Sequence, residues 1–392
     1  MTTRSWRTVA VVAGWQAAVS LCYYALFSAT TYFRGAFGLS RTLIGVLTAV
    51  ATLGYTLNLF PSGAAVDGFG ERRVMLVGVT GLALSVALIG LAPTPIVLFA
   101  AAFLLGIAYA PGMPASNRAI LSSAPRGKEG SAMGLKQVGV TAGSGAASLL
   151  IAGVAAVATW RWGFGLLAVL AGGYALIFAA SYEGTSGSGE WSLPDVRAFR
   201  QNRAYVLVVI AGLFVGATIF TTVGYTLLYA DEILGVSPVV AGVVLAAVQA
   251  TGSAGRLGAG SLADRLGGGA RAAATVTGVQ AALATGAFLL LAVGTLSRPV
   301  ALGALLVVGV SILGSTGVYY SCLTALVPQE EIGAASAGGQ TAINVGGLFF
   351  PPAFGYLADT VGYGAGWLLL AGCAGLLVIV LVAVRRSVGG GM

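Results

Sequence analysis

The stretch Gly63-Ala64-Ala65-Val66-Asp67-Gly68-Phe69-Gly70-Glu71-Arg72-Arg73 returns 197 residues later as Gly260-Ser261-Leu262-Ala263-Asp264-Arg265-Leu266-Gly267. Each copy closes a long apolar run. The glycines suit a tight turn and close helix approach. The aspartates stand at helix ends, where they can accept bonds from guanidinium or backbone N–H groups. A second pattern repeats as well. Pro125, Gly130, Gln137 and Gly143 recur 203 residues on as Pro328, Gly333, Gln340 and Gly346. Two matches at nearly constant offset make the chain an internal duplication, the plan of carriers that work about a midplane site.

Composition places the duplication in a bilayer. Of 392 residues 57% are hydrophobic and 8% charged, with 60 glycines and a mean hydropathy of +0.93. A soluble domain carries about 25% charged residues. Roughly twelve apolar segments are long enough to span as helices: 8–32, 42–66, 74–92, 96–122, 132–158, 162–181, 205–230, 238–263, 271–294, 299–325, 333–357 and 363–384. The opening run is too long, and lacks the cleavage pattern, for a signal peptide. The expected organisation is a six-helix bundle over 1–181, a linker with a basic surface helix over 182–204, and a second bundle over 205–392.

Thirteen basic residues (Arg4, Arg7, Arg72, Arg73, Arg126, Lys128, Arg197, Arg200, Arg203, Arg265, Arg271, Arg385 and Arg386) fall on the side of the N-terminus, against Arg34, Arg41, Arg161 and Arg298 on the other. By the positive-inside rule both termini face the cytoplasm of a cell-membrane protein. The net charge of +8 therefore reflects topology, and no nucleic-acid partner is expected.

Several chemistries are excluded. No histidine occurs, which removes His-ligated metals and His proton relays. The two lysines stand in no phosphate-loop context, which argues against a nucleotide. Cys22, Cys322 and Cys373 lie within apolar spans without paired spacing and read as packing residues. No nucleophile–base pair or metal cluster points to an enzyme.

What the chain does hold is cations in apolar runs: Arg118, Lys136 and Arg256, none with a carboxylate beside it in sequence. Such a group costs on the order of 2.5–3.5 kcal/mol at a helix centre unless it faces a polar cavity or partner. All twelve acids map to loops or span ends. The expected substrate is accordingly a small anion. Arg256 stands eight residues, about 12 Å of helix, from Asp264 and so near the bilayer middle. Its planar fork suits a carboxylate, although structural pairing is the competing reading. Lys136 can instead snorkel to the interface, and Arg118 can be structural. Gln16, Tyr23, Tyr24, Asn58, Gln137, Tyr225, Gln249, Tyr319, Tyr320, Gln340 and Asn344 are further candidate cavity linings. Gly139-x-x-x-Gly143 and Gly346-Gly347 read as close-packing points.

The paired loops, with Gly63, Asp67, Gly70, Arg72 and Arg73 in one and Gly260, Asp264, Arg265 and Gly267 in the other, resemble the signature loops of the major facilitator superfamily. The resemblance implies an all-α membrane protein of twelve helices in two pseudo-symmetric six-helix bundles. It also implies a secondary transporter working by alternating access, with spans 1, 4, 7 and 10 lining the cavity and the loops acting as a conformational latch. The usual basic residues after Asp67 and Gly70 are here Gly68 and Glu71. Arg256, four residues before Gly260, is similar to the substrate-binding arginine of the monocarboxylate and oxalate/formate branch; the acidic residue one turn before it in monocarboxylate transporters is Gly252. No cofactor and a monomer are implied, with a proton as candidate coupling ion. The alternative reading is multidrug-type efflux of neutral or amphipathic compounds.

Overall fold

The computed structural model describes residues 5–126, 128–189, 196–328 and 331–389. Glu190, Asp195 and Glu330 lie outside these, and among the described residues there is no strand. The helices are α1 (Trp6–Phe27), α2 (Thr30–Phe37), α3 (Arg41–Phe69), α4 (Glu71–Leu91), α5 (Pro95–Tyr109), α6 (Gly112–Ser123), α7 (Glu129–Val157) and α8 (Trp160–Ser181). After a 3-10 turn at Val196–Gln201 come α9 (Arg203–Glu232), α10 (Pro238–Arg265), α11 (Gly269–Ala292), α12 (Arg298–Val308), α13 (Thr316–Thr324), α14 (Ile332–Thr360) and α15 (Tyr363–Gly389). The described part of the expected basic surface helix is this six-residue turn.

Local chemistry sets the helix starts. Ser5, Thr94, Asn202 and Ser237 each accept from the N–H three residues on, and Pro95 and Pro238 fill first-turn positions where a missing N–H costs nothing. Among the described residues eleven segments are long and apolar enough to cross a membrane; α14, with Pro351 and Pro352 in its interior, occupies the place of the twelfth. Two spans are interrupted at corresponding places in the repeat. The fourth breaks at Ala110–Pro111, between α5 and α6. The tenth breaks between α12 and α13, where a π-turn covers Gly309–Leu313.

The chain forms two compact units, Met1–Tyr32 with Val50–Pro194, and Phe33–Ala49 with Asp195–Met392. The segment 33–49 precedes the linker in sequence but packs with the second unit. In the first unit α1 crosses α7 closely: a Cβ on Gly139 would stand 2.5 Å from Ala13 O, and one on Gly143 2.3 Å from Ala17 O. Trp15 Nε1 donates to Met75 O at 3.1 Å, fixing α1 to α4. In the second unit α9 and α14 meet in the same way, with Gly216 against Ile343 and Gly346 against Leu213. Trp367 is wholly buried there, stacked with Phe288 at 5.9 Å.

Candidate functional site

In the first unit, buried polar groups of α1, α6 and α7 converge just beyond the break in the fourth span. Lys136, on α7, is 0% exposed. Its Nζ donates to Asn117 Oδ1 at 2.6 Å and lies 3.8 Å from Met113 Sδ. Among the described residues no carboxylate lies within 4 Å of it. The ammonium is therefore buried against neutral partners rather than drawn out to the interface. Ser116, beside Asn117, donates to Gln16 Oε1 at 3.0 Å, and Gln16 Nε2 donates to Ser20 at 3.3 Å. Gln137 is half-buried next to Lys136. An aromatic cluster adjoins on α1, α3 and α5: Tyr23 stacks on Tyr109 at 4.1 Å and 8°, with Tyr55 and Tyr24 edge-on. Asn58 ties α3 to α5 through Ile107 O at 2.9 Å.

The second unit has its own polar groups at its interrupted span, and its cation stands on an element, α10, that is not the repeat mate of α7. Arg256 Nη2 donates to Leu313 O at 3.2 Å, the carbonyl closing the π-turn, and the side chain runs over Gly317 at the start of α13. Gln280 Nε2 reaches Val310 O, also in the turn, at 3.4 Å. A chain of polar groups follows from α13 to α14. Tyr320 donates to Gln340 Oε1, and Gln340 Nε2 donates to Asn344 Oδ1 at 2.8 Å. Asn344 is 0% exposed, and its Nδ2 has no hydrogen-bond partner among the described residues. A buried donor left so costs about 1–3 kcal/mol, which an acceptor on a ligand would relieve. Tyr319 is buried with its hydroxyl 3.5 Å from Gly339 O, and Gln249 is nearly buried on α10.

Two predicted lining residues serve other contacts. Arg118 turns to the loop, its Nη1 3.0 Å from Asp67 and its Nε 3.4 Å from Glu71. Its position seven residues before Pro125 brings it within reach of the helix end, where carboxylates wait. Tyr225 donates toward Arg41 O and Pro351 O, at 2.7 and 2.9 Å, and so joins helices instead of facing a cavity.

The first loop is built around Glu71, which is 0% exposed. It accepts from Tyr182 Oη at 3.0 Å and from Thr185 N at 2.6 Å. Thr185–Gly189 lies across the loop, with Ser188 N donating to Asp67 O at 2.8 Å. Gly70 has φ 84°, and a Cβ there would stand 2.4 Å from Thr185 O, so this position admits glycine alone. Arg72 donates to Tyr182 O and Ala179 O at the end of α8, while Arg73 is exposed, as Gly63 meets nothing nearby. In the second loop Asp264 and Arg265 are exposed, and Gly260 and Gly267 face open space. The two copies differ: the first is engaged within its own unit, and among the described residues Asp264 has no ion pair.

Sequence reasoning missed Tyr55 and Tyr109, the role of Glu71, and a polar cluster in the second unit. There Glu232 pairs with Arg34 and, at 2.7 Å, with Arg41; Arg41 also pairs with Asp359 at 3.5 Å. Arg41 lies over Tyr363, 5.1 Å from the ring centre.

Comparison with known proteins places this geometry in context. The family described as Major Facilitator Superfamily matches residues 13–351. A puromycin resistance protein of Streptomyces alboniger is 36% identical over 129 residues, 32% of this chain and 25% of that protein. A D-galactonate transporter of Escherichia coli O6:H1 is 27% identical over 165 residues, 41% of this chain and 37% of that protein. The matched stretches thus span only a quarter to just over a third of these relatives. Among solved structures, a bacterial homolog to the human lysosomal transporter Spinster superposes with a TM-score of 0.77 at 16% identity, covering 97% of this chain and 95% of that one. At that identity the likeness speaks for the fold alone.

Proposed function

We propose that this chain, which belongs to the Major Facilitator Superfamily and is a multi-pass membrane transporter rather than an enzyme, carries a small organic anion by alternating access. One observation carries the reading: in the first unit a wholly buried cation, Lys136, stands against neutral groups of the interrupted fourth span. Lys136 rests on Asn117 and Met113, and Arg256 on Leu313 O. Interrupted helices in corresponding positions of two repeats are where such carriers place their ligands, because backbone polar groups are released there. A buried ammonium without a carboxylate is several kcal/mol short of its hydration. A substrate carboxylate would offset that deficit, and the Gln16–Ser116 pair of the same unit could bond a hydroxyl on the same molecule. The D-galactonate relative, named for a polyhydroxylated acid, agrees with this chemistry. The setting proposed is the cell membrane with both termini cytoplasmic. The carrier is a monomer, takes no cofactor, and uses either a proton or a counter-anion to drive the cycle.

Neutral or amphipathic drugs are the second reading. It rests on the Tyr23–Tyr109 stack and the puromycin resistance relative. Uptake of labelled mono-, di- and polyhydroxy carboxylates into proteoliposomes, with and without a pH gradient, separates the two. Lys136→Met keeps the side-chain volume without the charge and is expected to lose carboxylate uptake at least tenfold. Undiminished uptake by that variant, or puromycin transport alone, would give the second reading precedence.

A further inference from the structure

The helix pair α9 and α15 leaves a groove of about 540 Å³ at the end of the second unit where α9 begins and α15 finishes. Along α15 it is lined by Val378 and by the series Ile379, Val382, Ala383 and Arg386. These positions follow i, i+3, i+4 and i+7, so they form one continuous stripe on a helix. The stripe is apolar for its first turn and cationic at its end. Ile379 and Val382 are 65% and 44% exposed. Facing Arg386 across the groove is Arg203, the first residue of α9, and Ser387 completes the rim. Both guanidinium-bearing residues are exposed, and among the described residues neither forms an ion pair with a carboxylate.

Two Arg side chains at one opening, with no acid paired to them among the described residues, make an anion site of high local field. The fork of each matches two oxygens of a phosphate. The opening of α9 adds the positive end of its dipole, since Arg203 occupies its first turn. The apolar stripe descends from this point into the span. Seven residues separate Ile379 from Arg386, about 10 Å of helix, the depth from a headgroup phosphate to the upper acyl chain. A small soluble anion would use the two arginines and leave the stripe empty. A bilayer lipid uses both. We infer that this groove is a binding site for an anionic phospholipid, its phosphate held by Arg203 and Arg386 and one acyl chain lying along Ala383, Val382 and Ile379.

Native mass spectrometry of the full-length protein from micelles containing equal phosphatidylglycerol and phosphatidylcholine tests the site. The parent should retain phosphatidylglycerol in preference, and Arg203→Gln with Arg386→Gln should lower that retention at least fivefold. Both side chains are exposed, so the pair of changes leaves the packing intact. Val382→Trp fills the apolar wall, keeps both charges and should lower retention as well, which carries the test independently. Retention of phosphatidylglycerol by either variant at the parent's level overturns the inference. So does equal uptake of phosphatidylcholine, or displacement of the lipid by millimolar inorganic phosphate.

Discussion

Asp359, at the end of α14, caps the start of α3: its carboxylate accepts from the backbone N–H groups of Arg41 at 3.1 Å and Thr42 at 2.8 Å. The Thr42 hydroxyl donates to it at 2.7 Å, and the Arg41 guanidinium pairs with it at 3.5 Å. A helix beginning usually takes its cap from the residue just before it. Here Ser40 bonds Leu43 N, and a side chain from the far end of the sequence supplies the remainder.

Removing this cap should loosen the first turn of α3. Asp359→Ala is expected to cost about 1–2 kcal/mol locally, the scale of a lost cap, and Asp359→Asn less because an acceptor oxygen remains. Hydrogen exchange at Arg41–Ile44 reads the difference. Equal protection in parent and Ala variant would mean that neighbouring contacts alone hold the turn.

Glu71→Gln should detach the Thr185–Gly189 segment from the first loop. Charge-assisted bonds contribute about 1.5–3 kcal/mol each, and the amide would set an N–H₂ group against existing donors. Limited proteolysis within Thr185–Gly189 is expected to quicken roughly tenfold. An unchanged rate would show that the bonds from Ser188 and Gly189 to Asp67 and Gly68 are sufficient.

Arg256→Gln should weaken carboxylate binding by on the order of 1.5–3 kcal/mol, a loss of roughly tenfold to a hundredfold. Arg256→Lys should recover only part, because an ammonium does not reproduce the planar fork. Calorimetry on monodisperse protein gives both numbers. If both variants bind as the parent does, Arg256 serves to hold the turn at Leu313 and the anion reading rests on Lys136.

The topology proposed from the charge count along the chain can be examined by labelling. Ser186 is exposed, and Ser186→Cys should react with an impermeant maleimide only from the cytoplasmic side. Reaction in intact cells would invert the orientation and the side assigned to both loops.

The repeat and the spans were legible because they depend on features local in sequence: runs of apolar residues and glycines at fixed spacing. The interruption of the tenth span had a signal too, in Gly309 and the Gly314-Ser315 pair, which an uninterrupted hydropathy window averages away. The role of Arg118 had none. Its partners Asp67 and Glu71 precede it by some fifty residues and meet it only once α3, α4 and α6 have packed. Tyr109 likewise acquires meaning only when α5 brings it face to face with Tyr23. Lys136 was visible as a charge in an apolar run, but its complete burial depends on Asn117 and Met113 at another helix's break.

The cap on α3 also dictates an order of manufacture. Arg41 and Asp359 are separated by 318 residues. At about 5–20 residues per second, the ribosome needs roughly 15–60 s to deliver that carboxylate after Arg41 has emerged. Throughout that interval the opening turn of the second span stands without its final partner. The nascent first half must be inserted and held with one end unfinished, and the chain acquires its mature form only when nearly the last helix has been made.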